Sequence, residues 1–336
     1  MSRVQVECTE QLLHQTSIAI VIPVLNDWKS LELLLPALDD ALRGKQLTTE
    51  IIVVDDGSTL HFESANPSPR TLNNIERVSV LELKRNLGHQ RAITLGLAFA
   101  SAERECDAVI VMDGDGEDEP ADVVRLVEAC RDENFSTMVF AKRSRRSEGP
   151  IFRLFYSLYR VFYKILTGRA IRIGNFSIVP RAILKRLVVV SEVWNHYAAG
   201  TIKARVPYIE VPTNRGNRLH GTPKMNFISL VTHGLSAISV HGDVVGVRLL
   251  IATTLLILFA VCGICVVVVI RLLTDLAIPG WATYVVALLL IILIQAVTLS
   301  LFFIFLVLSN RDNASFLPER DYVHFISRVV DIPVKN

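Results

Sequence analysis

Apolar residues fall along this chain in short unbroken runs separated by segments of helical spacing. "SIAIVIPV", ending at Val24, is a β-rich run; "WKSLELLLPALDDALRG" has apolar positions at helical intervals and stops at Gly44; "EIIVVDDGS" is a second run that ends in a turn. The alternation continues, with "RVSVLEL" predicting a strand, Gly88 to Ser101 a helix, "DAVIVM" a strand, Ala121 to Arg131 a helix and "STMVFA" a strand. Strands this continuous in Val and Ile, joined by helix-length crossovers, predict an α/β domain whose mostly parallel sheet is covered on both faces. Ligands of such sheets bind beyond the carboxyl ends of the strands.

Two later apolar stretches are of another kind. Leu249 to Ile270 carries no charge, and as a helix it would measure roughly 33 Å against the ~30 Å of a bilayer's hydrocarbon core. Tyr284 to Leu308 is interrupted only by Gln295 and a few small hydroxyl residues. A soluble core helix rarely stays apolar on every face for so long, so two transmembrane helices are expected. Upstream, "PIFRLFYSLYRVFYKILTG" places Phe152, Phe155, Tyr156, Tyr159, Phe162, Tyr163 and Leu166 on one side of a helix and Arg153, Ser157, Arg160 and Lys164 on the other. That pattern suits an amphipathic helix lying in the membrane interface, with a core helix or a subunit contact as the plainer alternative. Phe227 to His241 is a second segment of this type. The expected organisation is a polar segment over 1–16, the α/β domain over 17–224 with its interfacial helix at about 151–166, a juxtamembrane helix over 225–247, a transmembrane hairpin over 248–308 and a cytosolic tail over 309–336.

Composition agrees with this division. The 336 residues are 51% hydrophobic with a mean hydropathy of +0.41, too apolar for an ordinary soluble enzyme, and the excess lies toward the C-terminal end. "MSRVQVECTEQLLHQTS" lacks the apolar core of a cleaved export signal, so the α/β domain is expected in the cytosol. Arg248, Arg311, Arg320 and Arg328 flank the outer ends of the spans while Arg271 and Asp275 lie between them, a bias that favours a hairpin with both ends inside. A multi-pass protein of the cell inner membrane is the resulting expectation. The net charge of +2 says little, and no nucleic-acid partner is expected. Cys262 and Cys265 have a CxxC spacing inside the first span, but without a second ligand pair this reads as coincidence.

The polar residues that interrupt the strand pattern gather at strand ends. Pro23 to Asp27 follows the first strand, Asp55 to Ser58 the second, and "VIVMDGDGEDEP" places Asp113 and Asp115 after the fourth. A hard divalent cation takes oxygen ligands and keeps substrate phosphates in its shell, so one or two carboxylates beside a phosphate-bearing ligand suffice to hold it. Each loop alone has a plainer explanation: "DDGS" is a good turn, and the acidic loop a solvated lead into the helix after Pro120. Together on one rim they point to a nucleotide diphosphate site.

"IVIPVLND", "EIIVVDDGS", "NLGHQRAITLGLAFA" and "VIVMDGDGEDEP", in that order, resemble a family 2 glycosyltransferase with the GT-A nucleotide-sugar fold. With two C-terminal spans the chain is similar to the polyprenyl-phosphate group, which holds bactoprenol glucosyltransferases and dolichol-phosphate mannosyltransferase. The resemblance implies that Pro23, Asn26, Asp55 and Asp56 surround the nucleoside, with Gly57 and Gly88 in the same nucleotide-sugar site, and that Asp113 and Asp115 hold Mg²⁺ or Mn²⁺ on the diphosphate. Glu117 stands where many relatives have glutamine, giving the catalytic acids Asp113, Asp115 and Glu117 one more carboxylate. Gly88 and the helix start after it suit an anion.

Arg143 and Arg145 in "AKRSRRSEG", and Arg215, Arg218 and Lys224 in "NRGNRLHGTPKMNF", are the candidates for the acceptor phosphate, since guanidinium forks match phosphate oxygens. Adhesion to anionic headgroups is the alternative role for these clusters. Asn175, a candidate sugar or acceptor contact, stands where close relatives commonly carry an aspartate that is a candidate catalytic base. A lipid monophosphate, with a second pKa near ~6, would not need one. The implied activity is inverting, metal-dependent transfer of one sugar from a nucleotide diphosphate sugar, UDP-glucose favoured, to polyprenyl (undecaprenyl) phosphate. The alternatives are a lipid or glycolipid hydroxyl acceptor, for which Asp118, Glu117 or His196 would be the acid-base candidates, and a noncatalytic nucleotide-sugar- or lipid-binding membrane protein. Membrane lipid, a homo-tetramer and a flippase complete the expected partners.

Overall fold

The computed structural model describes residues 15–60, 72–143, 150–169, 173–221, 227–274, 280–312 and 316–332. Strands β1 (Thr16–Val24), β2 (Leu47–Asp55), β3 (Arg77–Leu83), β4 (Ala108–Val111), β5 (Met138–Arg143), β6 (Ser177–Pro180), β7 (Tyr208–Thr213) and β8 (Ile326–Ile332) form one sheet in the order β7-β5-β6-β4-β1-β2-β3-β8. The centre is parallel: β1 pairs with β2 and β4, and β2 with β3. Antiparallel β6 is wedged between β4 and β5, and antiparallel β8 closes the other side against β3.

Alternate residues of β1 supply the two cores. Ile18, Ile20, Ile22 and Val24 pack toward α1 (Trp28–Leu42) and α3 (Pro120–Asp132), while Ala19 and Val21 pack toward α2 (His89–Glu103), α5 (Arg181–Leu187) and α6 (Tyr197–Lys203). A period of two with both faces buried produces the unbroken apolar runs of the sequence. Helix α2 packs tightly on the sheet at Gly96, where a Cβ would lie 2.4 Å from Val21 Cγ1 and 2.9 Å from Val54 Cγ2.

β8 was not foreseen in the segment expected to be a tail. It pairs along β3 with Val80 opposite Val330, Arg328 grips Glu82 through two bonds of 2.7 and 2.8 Å, and Ser79 Oγ donates to Asp331 at 2.6 Å. Ahead of it come the one-turn helix α10 (Pro318–Asp321) and an aromatic clasp in which the Trp194 ring lies 3.8 Å from Phe316 and 5.2 Å from Phe325. Helices α7 (Phe227–Ser239), α8 (Gly242–Leu273) and α9 (Trp281–Asp312) lie between β7 and this C-terminal segment in the chain.

The chain divides into two compact units. One holds the whole sheet, α1–α3, α5, α6, α10 and the start of α7; the other holds α4 (Pro150–Thr167), the end of α7, α8 and α9. In the second unit α8 and α9 pack side by side, with Ser300 Oγ donating to Thr253 Oγ1 at 2.7 Å inside their contact. Their outward faces are apolar, including Leu255, Leu258, Phe259, Ile291 and Phe305. Gly242–Leu273 and Trp281–Leu306 are long and apolar enough to cross a membrane, at mean hydropathies of 3.0 and 2.8. The aromatic side drawn for α4 divides: Tyr163 is buried, whereas Phe162 joins Leu158, Val161 and Ile165 in an exposed apolar stripe. Gly96→Ala is expected to destabilise the sheet unit by about 1–3 kcal/mol through overpacking, measured as a lowered denaturant midpoint of the purified protein.

Candidate active site

Because β1, β2 and β4 are parallel, their carboxyl ends reach the same edge. The loops there are stitched by side chains. Asn26 takes a left-handed backbone (φ 49°), donates its N–H to Ser58 Oγ at 2.8 Å, and accepts at Oδ1 from both Thr59 N–H and Thr59 Oγ1 at 2.9 Å. Asp55 accepts from Ser58 N–H at 2.9 Å. At Gly57 φ is +71°, and a Cβ would come within 2.6 Å of Asn86 N, so glycine alone suits this crossing. Asp56 ties in the third loop, accepting from Leu87 N–H at 2.7 Å and Gly88 N–H at 2.9 Å just ahead of α2. Burial raises the Asp56 pKa against the pull of those two N–H groups and of His89.

The acidic loop after β4 is folded on itself. Asp113 N–H donates to Asp118 at 3.0 Å, Glu117 N–H donates to Asp115 Oδ1 at 3.0 Å, and Asp113 Oδ1 lies 3.2 Å from His89 Nε2. Burial lifts the Asp115 pKa; the Asp113 and Glu117 charges lift it further, while the Glu117 N–H and Arg218 oppose them. At His89 burial works against the charged form, but Asp113, Asp56 and Asp115 outweigh it and the pKa lies above the ordinary histidine value.

Residues after β7 lie across this loop. Gly216 N–H donates to Glu117 O and Leu219 N–H to Asp115 O, each at 2.9 Å. Arg218 donates to Asp115 Oδ2 at 2.9 Å and pairs with Asp27, whose other oxygen accepts from Ser30 Oγ at 2.6 Å. Arg215 grips Glu117 Oε2 through Nε at 2.9 Å and through Nη2. The two arginines expected to face an acceptor therefore neutralise acids of this rim in the structure described. Arg143 ends β5 opposite Thr213. Arg145 and Lys224 lie outside the described residues.

The family model for Glycosyl transferase family 2 matches residues 19–188. The chain belongs to this glycosyltransferase family. Its sheet domain is GT-A-like. An uncharacterized glycosyltransferase of Synechocystis sp. is 28% identical over 66% of this chain and 68% of its own length. The undecaprenyl-phosphate 4-deoxy-4-formamido-L-arabinose transferase of Erwinia tasmaniensis is also 28% identical, over 66% of each chain, and that of Proteus mirabilis is 26% identical over 73% of this chain and 78% of its own. Among solved structures, glucosyl-3-phosphoglycerate synthase from Mycobacterium tuberculosis in complex with Mn²⁺, uridine-diphosphate-glucose and phosphoglyceric acid is similar at 17% identity and a TM-score of 0.48, over 70% of this chain and 81% of that one.

This family 2 member carries further residues at the rim. Asn175 bonds with Gln90 and touches His89. His196, only 5% exposed, caps α6 by accepting from Ala199 N–H at Nδ1, which leaves its proton on Nε2, and its ring lies 4.5 Å from that of His233. His233 also feels the charges of His89 and Asp113. The pairing of Asp27 and the places of Gln90 and His233 had no sequence signal beyond the position of Asp27 ahead of a helix; tertiary folding brings them in.

Burial, aided by His233, holds the His196 pKa down to about 3, below the 6.5 of an exposed histidine. The unfolded chain therefore binds a proton that the folded one refuses, so this contribution is intact above about pH 6.5 and is lost as pH falls below it, roughly 2 kcal/mol at about pH 5. His196→Asn keeps a capping acceptor but does not titrate. Unfolding measured near neutrality and at about pH 5 is expected to show a smaller acid loss in the variant than in the natural chain.

Proposed function

We propose that this family 2 glycosyltransferase moves one sugar, with inversion, from a nucleoside diphosphate donor to the phosphate of a polyprenyl lipid. UDP-glucose is the favoured donor. The observation that carries the proposal is the acidic rim, with Asp113 and Asp115 following β4 on the edge reached by Asn26, Asp55 and Asp56. Curated relatives named as undecaprenyl-phosphate transferases support the acceptor class.

The donor set fits a hard divalent cation. Its nearest ligands are carboxylates, and like charge from Asp113 and Glu117 helps keep the Asp115 pKa raised, a strain that a cation relieves. Among the described residues no three His, Cys, Asp or Glu side chains already converge on one point. Two carboxylates completed by substrate phosphates are the expected set for Mg²⁺ or Mn²⁺, held by Asp113 and Asp115. When bound, the ion would neutralise charge on the departing diphosphate.

The remaining work belongs to positioning. An acceptor phosphate oxygen bonds to the anomeric carbon as the bond from that carbon to the donor's diphosphate oxygen breaks, the electron pair leaving with the nucleoside diphosphate. At neutral pH most of a phosphomonoester is already the dianion, so no proton need be removed from the nucleophile. Asp56 fixes the loop entering α2, and Asp55 and Asn26 fix the loops beneath the nucleoside, so the donor meets a preformed surface. Exchange of Arg218 and Arg215 from the rim acids to the acceptor phosphate would bring the two anionic substrates together.

Anchoring follows from chain order. Strand β7 precedes the apolar helices and β8 follows them, yet both belong to one sheet, which supports a hairpin that enters and leaves the membrane on the same side. With the basic residues at its outer ends, that side is the cytosol. The exposed stripe of α4 is suited to the interface.

With purified protein, undecaprenyl phosphate, Mn²⁺ and a panel of labelled nucleotide sugars, we expect one sugar to enter a lipid product that mild acid hydrolyses. An acid-stable glycolipid would instead identify a hydroxyl acceptor. Asp115→Asn is expected to lower transfer on the order of 100-fold and to abolish the Mn²⁺ enhancement of nucleotide binding measured by calorimetry. Arg218→Gln frees Asp115 from its guanidinium, and Mn²⁺ binding in the presence of UDP should tighten by roughly fivefold.

A further inference from the structure

The two apolar helices are seamed along part of their length and leave a cleft beyond it. Gly246, Thr253, Ala260 and Val267 of α8 are buried, a repeat at every seventh position that keeps one side of a helix against its neighbour. Thr253 takes the hydrogen bond from Ser300, and at Gly263 the helices are still close, since a Cβ there would lie 3.2 Å from Leu289 Cδ1. Toward the hairpin turn α9 offers the short side chains of Ala282, Thr283 and Ala287, and a cleft of about 480 Å³ opens between the helices. Its lining runs from Ala282 to Leu290, roughly 12 Å along α9.

The cleft is apolar along its length and cationic toward the turn. Val267, Val268 and Leu272 of α8 line it with Val286, Ala287 and Leu290 of α9. Its polar groups are Arg271, in the last turn of α8, and Thr283, in the first turn of α9. No acid pairs with Arg271 among the described residues. Trp281, next to Ala282 of the lining, carries a buried indole N–H without a hydrogen-bond partner among them. An apolar cavity stays dry and takes hydrocarbon instead. A guanidinium calls for anionic oxygen, and phosphate matches its fork. One ligand meets both demands if it carries an apolar chain next to a phosphate.

We propose that this cleft binds an anionic phospholipid of the bilayer, with one acyl chain between α8 and α9, the phosphate on Arg271 and the Trp281 indole donating to the head group. The site uses none of the residues of the acidic rim and goes beyond the transfer reaction. With both ends of the hairpin on the cytosolic side, as proposed above, the turn and its lipid lie at the far face of the membrane. A zwitterionic lipid satisfies the apolar lining but sets its own cation beside Arg271. A second copy of this chain in the same membrane would bring another Arg271 to the same level, so like charges would meet where the anionic lipid brings opposite ones.

The test uses the full-length protein in detergent micelles, with Trp281 reporting on the cleft. The other tryptophans, Trp28 and Trp194, belong to the sheet unit. Phosphatidylglycerol or phosphatidylcholine brominated in its acyl chains is titrated in, and the signal is the part of the fluorescence quenching that Trp281→Phe removes. Quenching by phosphatidylglycerol is expected to saturate at one lipid per chain and to need at least about fivefold less lipid than phosphatidylcholine. Arg271→Gln should erase that preference, and Arg271→Lys should keep part of it. Ala287→Phe fills the cleft with the charge intact and should weaken phosphatidylglycerol at least about fivefold. Combined with Arg271→Gln it should add little, because both changes act on the same bound lipid. Circular dichroism reports that each variant is folded, and Thr283→Leu is the milder filling variant should Ala287→Phe fail to fold.

Equal quenching by the two lipids, or a preference that survives Arg271→Gln, would overturn the proposal and leave an ordinary annulus of lipid. So would a preference retained in the folded filling variant, which would assign it to attraction at the membrane surface rather than to the cleft. Quenching by neither lipid, together with a dimer that the filling variant splits into monomers in light scattering, would give the cleft to a second copy and overturn the proposal as well.

Discussion

Like charges held close together are the constraint around which the acidic edge of the sheet is built. Asp55, Asp56, Asp113, Asp115, Glu117 and Asp118 end or follow the parallel central strands β2 and β4, at the edge where the loops of such sheets meet ligands. Left to solvent, such a group of carboxylates would splay apart. Here the buried Asp55, Asp56 and Asp118 and the half-buried Asp115 are answered locally: Asp55 and Asp56 by backbone N–H groups, Asp118 by the amide of Asp113, and Asp115 by the amide of Glu117 together with Arg218. Backbone donors are economical for this purpose because they add no mobile side chain and are already rigid. The same bonds set the loop shapes, so electrostatic necessity and preorganisation are one arrangement.

Much of the sheet was legible in the sequence because its central strands are buried on both faces. Ile18 to Val24 and Ile51 to Asp55 leave no solvent-facing alternation to confuse with a helix, and their crossovers show helical spacing. Strands β6, β7 and β8 escaped notice, and the first and last of them differ physically from the central strands. β6 has four residues and ends in Pro180, too short for a period to register. β8 is a half-exposed edge strand whose partner lies far back in the chain, and no local pattern reports that pairing.

The site divides along the same line. Asp113 and Asp115 stood out because acids interrupt an apolar run at a strand end, a purely local contrast. Pairing of Arg218 with Asp115 and Asp27 joins three separate segments, and the stacking of His196 on His233 joins two more. Sequence placed the arginines near phosphate chemistry from their residue type, but their partners in the described structure depend on the path of the loop after β7. Asn175 was noticed as a departure from its relatives; its orientation belongs to Gln90 and Tyr197, which sequence could not connect to it.

The position of β8 has a consequence for synthesis. Its pairing with β3 is made by residues that leave the ribosome only after both apolar helices. Until then β3 presents an open row of amides and carbonyls to any passing strand. A nascent chain stalled before Ile326 would hold most of the sheet with an adhesive border, so prompt synthesis of β8 doubles as protection against aggregation.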